Sequence, residues 1–507
     1  MRRFCLLALF VSLIACQSAK GRKKSGGGAK APAAAPAADT MADRDAVEKA
    51  LAQLNDHIDG VILRLNLGSG QTGFRARQAH TLRDLIIVEG AGNKPRIYAL
   101  ERATLKPRWT TNLLEPSLYP AAENQTSVLL ISRRYAHAVS LFSGSKTMRY
   151  VGGALNGLER PYLQLPFVPT GGGAAQSDTF YLPSLGSPDR NKTLESFSLI
   201  SGQMGWGYRT NGLLDRTPIV GGDPRDPRLY FVDNKGIVTC LDANNYGIAP
   251  AAERWQAVLD NEVRHDFFLT EDVPGGEVGA LYLVDNAGIV YCLDRATGSR
   301  RWSIAVGERP RSAPLVFGNL VVVKMESGLA AFDKDNVVYE LKVTAGPDEG
   351  RTFLLRKGQD YKLGTGAKDD LHVSDRRLGA GQATFEFDGE VLAVRGKGIL
   401  VNGLPTQGRT DLHGSDRLTL GGTILELTDR GNMPMWSGKQ YDRILVRMGN
   451  RLLAAKGSTL YVLDADTGEE EGSPVAVPGA RIMLVNTRDA KLFLIAGDGW
   501  VYAYLPR

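Results

Sequence analysis

The sequence predicts an all-β protein, a β-propeller of about eight blades with seven as the alternative, interrupted by a second β-domain. From about residue 80, short runs of Val, Leu, Ile, Tyr and Phe alternate with Gly, Asp and Asn turns, as strands do. A self-similar unit recurs roughly every 40–50 residues, which indicates stacked or radially arranged sheets. Four short strands per unit form a propeller blade, and closing the ring protects the sheet edges.

The clearest copy of the repeat runs from Gly279 to Trp302. It contains a strand, an Asp-Asn-Ala-Gly turn, a strand ending in Leu-Asp, a Thr-Gly turn and a strand that carries the tryptophan. Other copies place Trp109, Trp206 and Trp255 at corresponding positions. The segment 61–67 precedes the first unit and is expected to complete the last blade.

The pattern Leu-Tyr-x-Leu-Asp-x-x-Thr-Gly-x-x-x-Trp resembles the PQQ-like propeller family over residues 60–340 and 440–507. Its members include quinoprotein dehydrogenases and the outer-membrane assembly lipoprotein BamB. The resemblance implies that Trp109, Trp206, Trp255 and Trp302 dock one blade on the next. The quinone-dependent alcohol dehydrogenases use two adjacent cysteines as a platform for the quinone, and this chain has no such pair.

The repeat stops between Val338 and Tyr441, and we expect the inserted domain to lie in a loop between blades. The order of motifs there resembles a forkhead-associated (FHA) domain, a β-sandwich that binds phosphothreonine. The motifs are Gly-Arg at 350, Asp-Asp-Leu at 369, Val-Asn-Gly at 401 and Gly-Ser-Asp-Arg-Leu-Thr-Leu-Gly at 414. The ligand positions of that family fall on Thr365, Gly379 and Lys397 instead of arginine, serine and asparagine. Since phosphate needs charge-assisted donors, we expect a degenerate site.

The N-terminus predicts a lipoprotein. Two arginines precede a short apolar run, which is too short to span a bilayer and is typical of a secretory signal. The run ends in Leu-Ile-Ala-Cys16, which resembles the bacterial lipobox, so the resemblance implies cleavage before Cys16 and lipidation of its sulfur. Because Gln17 rather than Asp follows, the resemblance further implies the outer membrane, with the protein facing the periplasm.

These features divide the chain into six segments. They are a signal peptide (1–15), a lipidated flexible tether (16–40), a short helical segment (41–60), a first propeller part (61–341), an FHA-like insert (342–430) and a last propeller part (440–507). Of the net charge of +6, two positive charges leave with the signal and five lie in the tether, so the body carries about −1. The basic balance is therefore not a nucleic-acid signature.

The cysteines and histidines indicate no catalytic or metal site. Cys240 and Cys292 occupy equivalent places in two repeats and are predicted to be buried small hydrophobic residues, with a disulfide as the less favoured alternative. No haem, zinc, phosphate-loop or nucleophile motif is present. The favoured function is a cofactor-free envelope scaffold that binds membrane lipid through Cys16 and a protein partner. The alternatives are a quinone-dependent oxidoreductase and a phosphothreonine reader.

Overall fold

The computed structural model describes one helix and a large number of short strands. Helix α1 spans Ala38–Leu54. The described residues are 38–506 apart from 56–57, 68–73, 133–134, 152–153, 156–157, 160–173, 177, 185–192, 199–203, 215, 223–225, 244–251, 271–278, 357–359, 389–390, 431–432 and 498. The signal, Cys16 and most of the tether lie outside them.

Within the described residues, the propeller comprises eight antiparallel sheets, so the expected blade number is confirmed. The first strand, β1 (Gly60–Asn66), belongs to the last sheet. Blade 1 contains β2 (Ala76–Thr81), β3 (Leu85–Gly90), β4 (Arg96–Glu101) and β5 (Pro107–Asn112). Blade 2 contains β6 (Ala122–Glu123), β7 (Ser127–Ile131), β8 (Tyr135–Ser140), β9 (Lys146–Val151), β10 (Ala154–Leu155) and β11 (Leu158–Glu159). Blade 3 contains β12 (Ala174–Gln176), β13 (Thr179–Ser184), β14 (Thr193–Ser198) and β15 (Met204–Arg209).

The next three blades repeat this order, but the sixth takes its last strand from far along the chain. Blade 4 contains β16 (Ile219–Gly221), β17 (Arg228–Val232), β18 (Ile237–Asp242) and β19 (Glu253–Val258). Blade 5 contains β20 (Phe268–Leu269), β21 (Ala280–Val284), β22 (Ile289–Asp294) and β23 (Arg300–Ala305). Blade 6 contains β24 (Leu315–Phe317), β25 (Leu320–Lys324), β26 (Leu329–Asp333) and the later strand Trp436–Lys439.

The segment between the third and fourth strands of blade 6 is a separate two-sheet sandwich. Its strands are β27 (Val337–Ala345), β28 (Thr352–Arg356), β29 (Tyr361–Gly364), β30 (Leu371–His372), β31 (Ala383–Asp388), β32 (Val391–Gly396), β33 (Ile399–Val401), β34 (Leu404–Pro405), β35 (Thr410–Leu412), β36 (Arg417–Leu420) and β37 (Thr423–Asp429). One sheet has the order β28-β27-β37-β36-β33-β34, and the other has the order β30-β29-β31-β32-β35. They enclose a core of their own that includes Leu341, Leu363, Phe385 and Leu425.

The remaining strands close the ring. After β38 (Trp436–Lys439) come β39 (Arg443–Met448), β40 (Arg451–Lys456), β41 (Thr459–Asp464) and β42 (Val475–Ala476), which form blade 7. Blade 8 contains β43 (Ala480–Leu484), β44 (Leu492–Ala496), β45 (Trp500–Pro506) and β1. Seven residues of β1 pair antiparallel with β45, from Gly60↔Pro506 to Asn66↔Trp500, as expected for the segment 61–67.

The propeller's apolar core is divided among the junctions between blades. Alternating side chains of each strand point to opposite faces of its sheet, so each blade packs on two neighbours. Each of the eight junctions contains a buried apolar cluster, including the one that joins blade 8 to blade 1 through Phe493 and Ile86. Burial is therefore spread around a closed ring.

Helix α1 packs on the junction between blades 7 and 8. Val47, Leu51 and Leu54 repeat at helical spacing and are fully buried, so they form the stripe that an amphipathic helix buries. The stripe packs against Leu460 and Val475, close to the two-residue outer strand β42. The helical segment expected at 41–60 thus begins earlier, at Ala38, and ends before β1.

The boundary and the position of the insert both differ from those expected from the sequence. Its first strand, β27, begins at Val337, so the expected boundary at 342 falls inside one continuous strand that pairs with β37. The insert was also expected in a loop between blades, and that expectation is wrong. The four-residue strand β38 pairs with β26, so the insert interrupts a blade and extends from its third and fourth strands.

Candidate functional site

Each repeat tryptophan joins its own blade to the following one. The indole N–H of Trp109 donates to the Leu141 carbonyl of blade 2 at 2.8 Å. Trp302 donates in the same way to Lys334 of blade 6 at 2.9 Å. Each acceptor directly follows the third strand of the following blade, so one indole satisfies one backbone carbonyl across a junction. Trp255 makes the corresponding bond to the Arg295 carbonyl at 3.2 Å.

Trp206 and Trp436 occupy comparable places. Trp206 is buried in the cluster that also contains Leu229 and Leu241 of blade 4. Trp436 was not singled out in the sequence, yet its indole donates to the Ala465 carbonyl of blade 7 at 3.0 Å. The insert separates Trp436 from the rest of its repeat, so the repeat pattern in the sequence did not reveal this tryptophan. The turn glycine Gly468 could have revealed it, because such a glycine packs against a tryptophan of the preceding blade and none had been assigned to Gly468.

The turn that receives the indole is built by the Leu-Asp-x-x-Thr-Gly motif. Asp464 Oδ1 accepts the backbone N–H of Asp466 at 3.0 Å and both the N–H and the hydroxyl of Thr467. These bonds, the Thr467 amide above all, lower the pKa of Asp464. Asp294 makes the same set of bonds in blade 5. The motif thus encodes a turn whose shape is set by a carboxylate.

A second acidic motif, Asp-Asn-x-Gly, stabilises the turns on the opposite face of the ring. Asp233 Oδ1 accepts the amides of Lys235 and Ile237, and Oδ2 accepts the amide of Gly212, in the loop that enters blade 4. Asp285 repeats the pattern in blade 5 and accepts the side-chain amide of Asn261. Both aspartates are almost fully buried, and these bonds compensate their burial.

The degenerate ligand positions of the insert lie close together at one end of the sandwich. The amide of Thr365 donates to the Gly379 carbonyl at 3.2 Å, and its hydroxyl donates to the Leu378 carbonyl. The side chain of Gln382 bridges the remaining two positions, accepting the Gly379 amide at 3.0 Å and donating to the Lys397 carbonyl at 2.5 Å. The three positions singled out in the sequence are therefore neighbours in the structure.

Several polar groups at this end of the sandwich form hydrogen bonds within and between the loops. Asp369 accepts the amides of Gly366 and Gly381, so two backbone donors are already engaged by a carboxylate. Arg377 bonds Asp375 at 3.1 Å and holds the pKa of that carboxyl well below its usual range. Lys397 is exposed. The forked guanidinium that phosphate recognition uses has no counterpart among Thr365, Gly379 and Lys397, and the Thr365 hydroxyl already donates to the Leu378 carbonyl.

The two cysteines of the folded body do not fit a quinone platform. Cys240 lies in β18 and Cys292 in β22, each buried at the junction with the following blade, and neither forms a disulfide. Burial raises the pKa of the Cys240 thiol to about 12. Over the part of the chain that the structure describes, no cluster of three or more His, Cys, Asp and Glu side chains is arranged to hold a metal. In the same part, no helix has the length and apolar character needed to cross a membrane.

The fold therefore defines an eight-bladed β-propeller with a β-sandwich inserted into one blade. The sequence profile of a family described as PQQ_2, outer membrane protein assembly factor BamB, matches residues 234–504. Since this match covers more than half of the chain, the protein belongs to that family. Among curated proteins, none matches this chain.

Three solved structures illustrate the similarity. BamB from Moraxella catarrhalis is 14% identical over 77% of this chain and 97% of that one, with a TM-score of 0.35. Quinohemoprotein alcohol dehydrogenase ADHIIG from Pseudomonas putida HK5 is 12% identical over 89% and 77%, with a TM-score of 0.44. The FHA domain of the CT664 protein from Chlamydia trachomatis is 24% identical over 18% and 99%, with a TM-score of 0.18.

Proposed function

We propose that this protein is a non-catalytic scaffold of the bacterial envelope, anchored through Cys16 to a membrane and holding a protein partner on its propeller. Membership of the BamB family is the observation that carries the proposal. The lipobox-like Leu-Ile-Ala-Cys16 supplies the anchor, and Gln17 favours the outer membrane with the body in the periplasm. The absent cysteine pair argues against the oxidoreductase alternative.

The insert is, in this proposal, an FHA fold that has lost phosphothreonine binding. The motifs at 401 and 414 support the fold, and Thr365, Gly379 and Lys397 supply none of the expected phosphate donors. Calorimetry of the full chain should give equal affinity for phosphothreonine peptides and their unphosphorylated forms. Phosphate-dependent binding would refute this part of the proposal and support the phosphothreonine reader.

The scaffold role is tested by cross-linking in intact envelopes followed by purification of the tagged protein. We expect a discrete protein partner, and the yield should fall when Cys16→Ser releases the protein from the membrane. The purified protein should also lack a quinone absorbance and should not oxidise alcohols in a dye-linked assay with quinone and calcium. A stoichiometric quinone, or dye-linked turnover, would favour the oxidoreductase.

A further inference from the structure

The direction of helix α1 follows from two contacts with blade 8. Directly after the helix, Asn55 accepts a hydrogen bond from the Tyr504 hydroxyl at 2.6 Å, near the beginning of β1. Earlier in the helix, Glu48 forms an ion pair with Arg64 at 2.6 Å, and Arg64 lies in the second half of β1. The helix therefore runs antiparallel to β1, so its first residues lie toward the face of the ring where β1 ends.

The two faces of the ring carry different features. The turns between the second and third strands of each blade lie on the face where β1 ends, which we call the upper face. The insert leaves blade 6 between its third and fourth strands and therefore projects from the opposite, lower face. Val47 shares an apolar cluster with Val475 at the upper end of blade 7, and from Val47 back to Ala38 the helix continues for roughly 14 Å at about 1.5 Å per residue. Helix α1 therefore leads the preceding chain toward the upper face, away from the insert.

Exposed basic side chains cluster on the upper face beside the helix. They lie at the upper ends of blades 7, 8 and 1, and they are Arg443, Lys456, Arg481, Arg75 and Lys94. None of the five takes part in an ion pair with another residue in the part of the chain that the structure describes. Asp442 stands beside Arg443 and offsets one positive charge, and its carboxylate accepts the Gly457 amide at 2.7 Å. The folded body carries about −1 overall, so these five residues form a local positive excess, which we call the basic patch.

In blades 5 and 6, by contrast, exposed charges of the upper face form ion pairs. In the loops that enter these blades, Arg264 lies 3.5 Å from Glu262, and Arg311 lies 2.5 Å from Glu326. Each pair is neutral as a unit, and salt screens the remaining field beyond a Debye length of about 8 Å at physiological ionic strength. The positive potential of the upper face is therefore concentrated beside helix α1 and at the seam between blades 8 and 1.

We propose that the basic patch lies against anionic lipid headgroups of the membrane that holds the anchor, and that the insert consequently projects away from that membrane. Residues 17–37 connect Cys16 to the helix and span at most roughly 70 Å, which keeps the start of the helix within that distance of the membrane. Lys and Arg side chains near an anionic membrane surface are attracted to it. The orientation rests on the proposed anchor at Cys16, whereas the attraction of the patch to anionic lipid does not.

The test measures which face of the full chain lies close to the lipid. The purified protein is bound to vesicles of phosphatidylcholine mixed with phosphatidylglycerol, and pure phosphatidylcholine serves as the uncharged surface. Ala91→Cys and Ala103→Cys each place one thiol at an exposed alanine, on the upper and on the lower face of blade 1 respectively. Cys240 and Cys292 are buried, so a fluorophore attaches at the introduced thiol. Energy transfer to an acceptor on the lipid headgroups then reports the distance of each face.

Two triple variants separate the patch from charge in general. The neutralising variant combines Arg443→Gln, Lys456→Gln and Arg481→Gln, which are exposed and should leave the fold intact. The matched control combines Arg264→Gln, Arg309→Gln and Arg311→Gln, which removes the same charge from the same face in the loops that enter blades 5 and 6. On anionic vesicles we expect stronger energy transfer from position 91 than from position 103. This difference should shrink with added salt, disappear in the neutralising variant and persist in the control.

Equal transfer from the two positions on anionic vesicles would overturn the proposal, and so would a difference of the same size on pure phosphatidylcholine or in the neutralising variant. The anchor is judged separately, because an acylated protein should float with pure phosphatidylcholine vesicles. If wild type does not float with them, the proposed anchor fails, and the patch is then tested by flotation with the anionic vesicles alone. There the neutralising variant should bind about a hundredfold more weakly than wild type, at about fivefold per charge, and equal binding would refute the patch.

Discussion

Gly298 meets two requirements at once, and this makes it informative at the scale of single residues. Its φ is +73°, in the left-handed region that favours glycine. A Cβ placed on it would also lie 2.4 Å from the ring of Trp255, so the tryptophan of blade 4 packs directly on the turn of blade 5. Gly144 meets Trp109 and Gly468 meets Trp436 in the same way.

The substitution Gly298→Ala should therefore destabilise the propeller through backbone strain and, separately, through a clash of the new Cβ with the Trp255 ring. Gly307 is the control, since its φ is +77° and nothing lies within 4 Å of the position that a Cβ would occupy. We expect Gly307→Ala to cost about 1 kcal/mol from backbone strain alone. Gly298→Ala should cost about 1–3 kcal/mol more, because the Trp255 ring must move. Urea unfolding of both variants measures the difference, and equal costs would contradict docking on the glycine.

At the scale of elements, the insert and the blade it interrupts should be energetically separate. The paired strands β27 and β37 bring the ends of the insert together, and the pairing of β26 with β38 closes blade 6 without it. Replacing residues 337–430 by a short Gly/Ser linker should leave the melting transition of the propeller nearly unchanged, because closure cost grows slowly with loop length. Calorimetry measures the shift.

A contrasting variant at the junction of blades 5 and 6 tests the division of the chain into propeller and insert. Trp302→Ala removes a buried ring and its bond to the Lys334 carbonyl, and should cost about 3–5 kcal/mol. Trp302→Phe keeps most of the ring area and should cost less. If deletion of the insert unfolds the ring while Trp302→Ala has no effect, the division into propeller and insert is wrong.

At the scale of the whole molecule, the ring depends on a seam between its first and last blades. Besides the β1–β45 pairing, the buried guanidinium of Arg102 joins the two sides. It donates to the carbonyls of Leu82 and Arg83 in blade 1, and lies 2.7 Å from Asp489 Oδ2 in blade 8. Asn486 accepts a further bond from it at 3.3 Å.

The substitution Arg102→Met should open this seam, at a cost on the order of 3 kcal/mol at pH 7, because it leaves buried acceptors without their donor. Arg311→Met is the control, since its ion pair with Glu326 is exposed and should contribute little. Burial opposes ionisation of Asp489, but its bonds to Asn486 and Arg102 outweigh burial and lower its pKa.

The sign of that shift fixes the pH dependence. A carboxyl with a lowered folded-state pKa contributes stability above its unfolded pKa, about 3.9, and loses it as the pH falls through the folded value. The difference between wild type and Arg102→Met should therefore shrink between about pH 5 and pH 2, as urea unfolding at several pH values would show. A difference that grows on acidification would contradict this account.

The anchor is also tested on the whole molecule. Wild-type protein should partition into the detergent phase, and Cys16→Ser should move it to the aqueous phase, because acyl chains contribute about 0.8 kcal/mol per buried CH₂. Cys5→Ser is the matched control, since Cys5 lies in the signal that is expected to be cleaved. Aqueous partition of the wild type would contradict lipidation.

The sequence alone determined the propeller, its approximate blade number and the presence of an inserted β-domain. It did so because these features depend on local chemistry that repeats. A carboxylate shapes each Thr-Gly turn, short apolar strands recur between the turns, and Gly298 stands four residues before Trp302. The segment 61–67 was identified as the closing strand for the same reason, since it is an isolated strand before the first complete unit.

Only the tertiary structure decided where the insert enters and which residues meet across the ring. Strand β38 has four residues, and its only repeat signal, Trp436, stands far from its blade in the sequence. Its membership of blade 6 depends on hydrogen bonds with β26, which no local pattern encodes. The ion pair of Arg102 with Asp489 has the same origin, because blades 1 and 8 meet only when the ring closes.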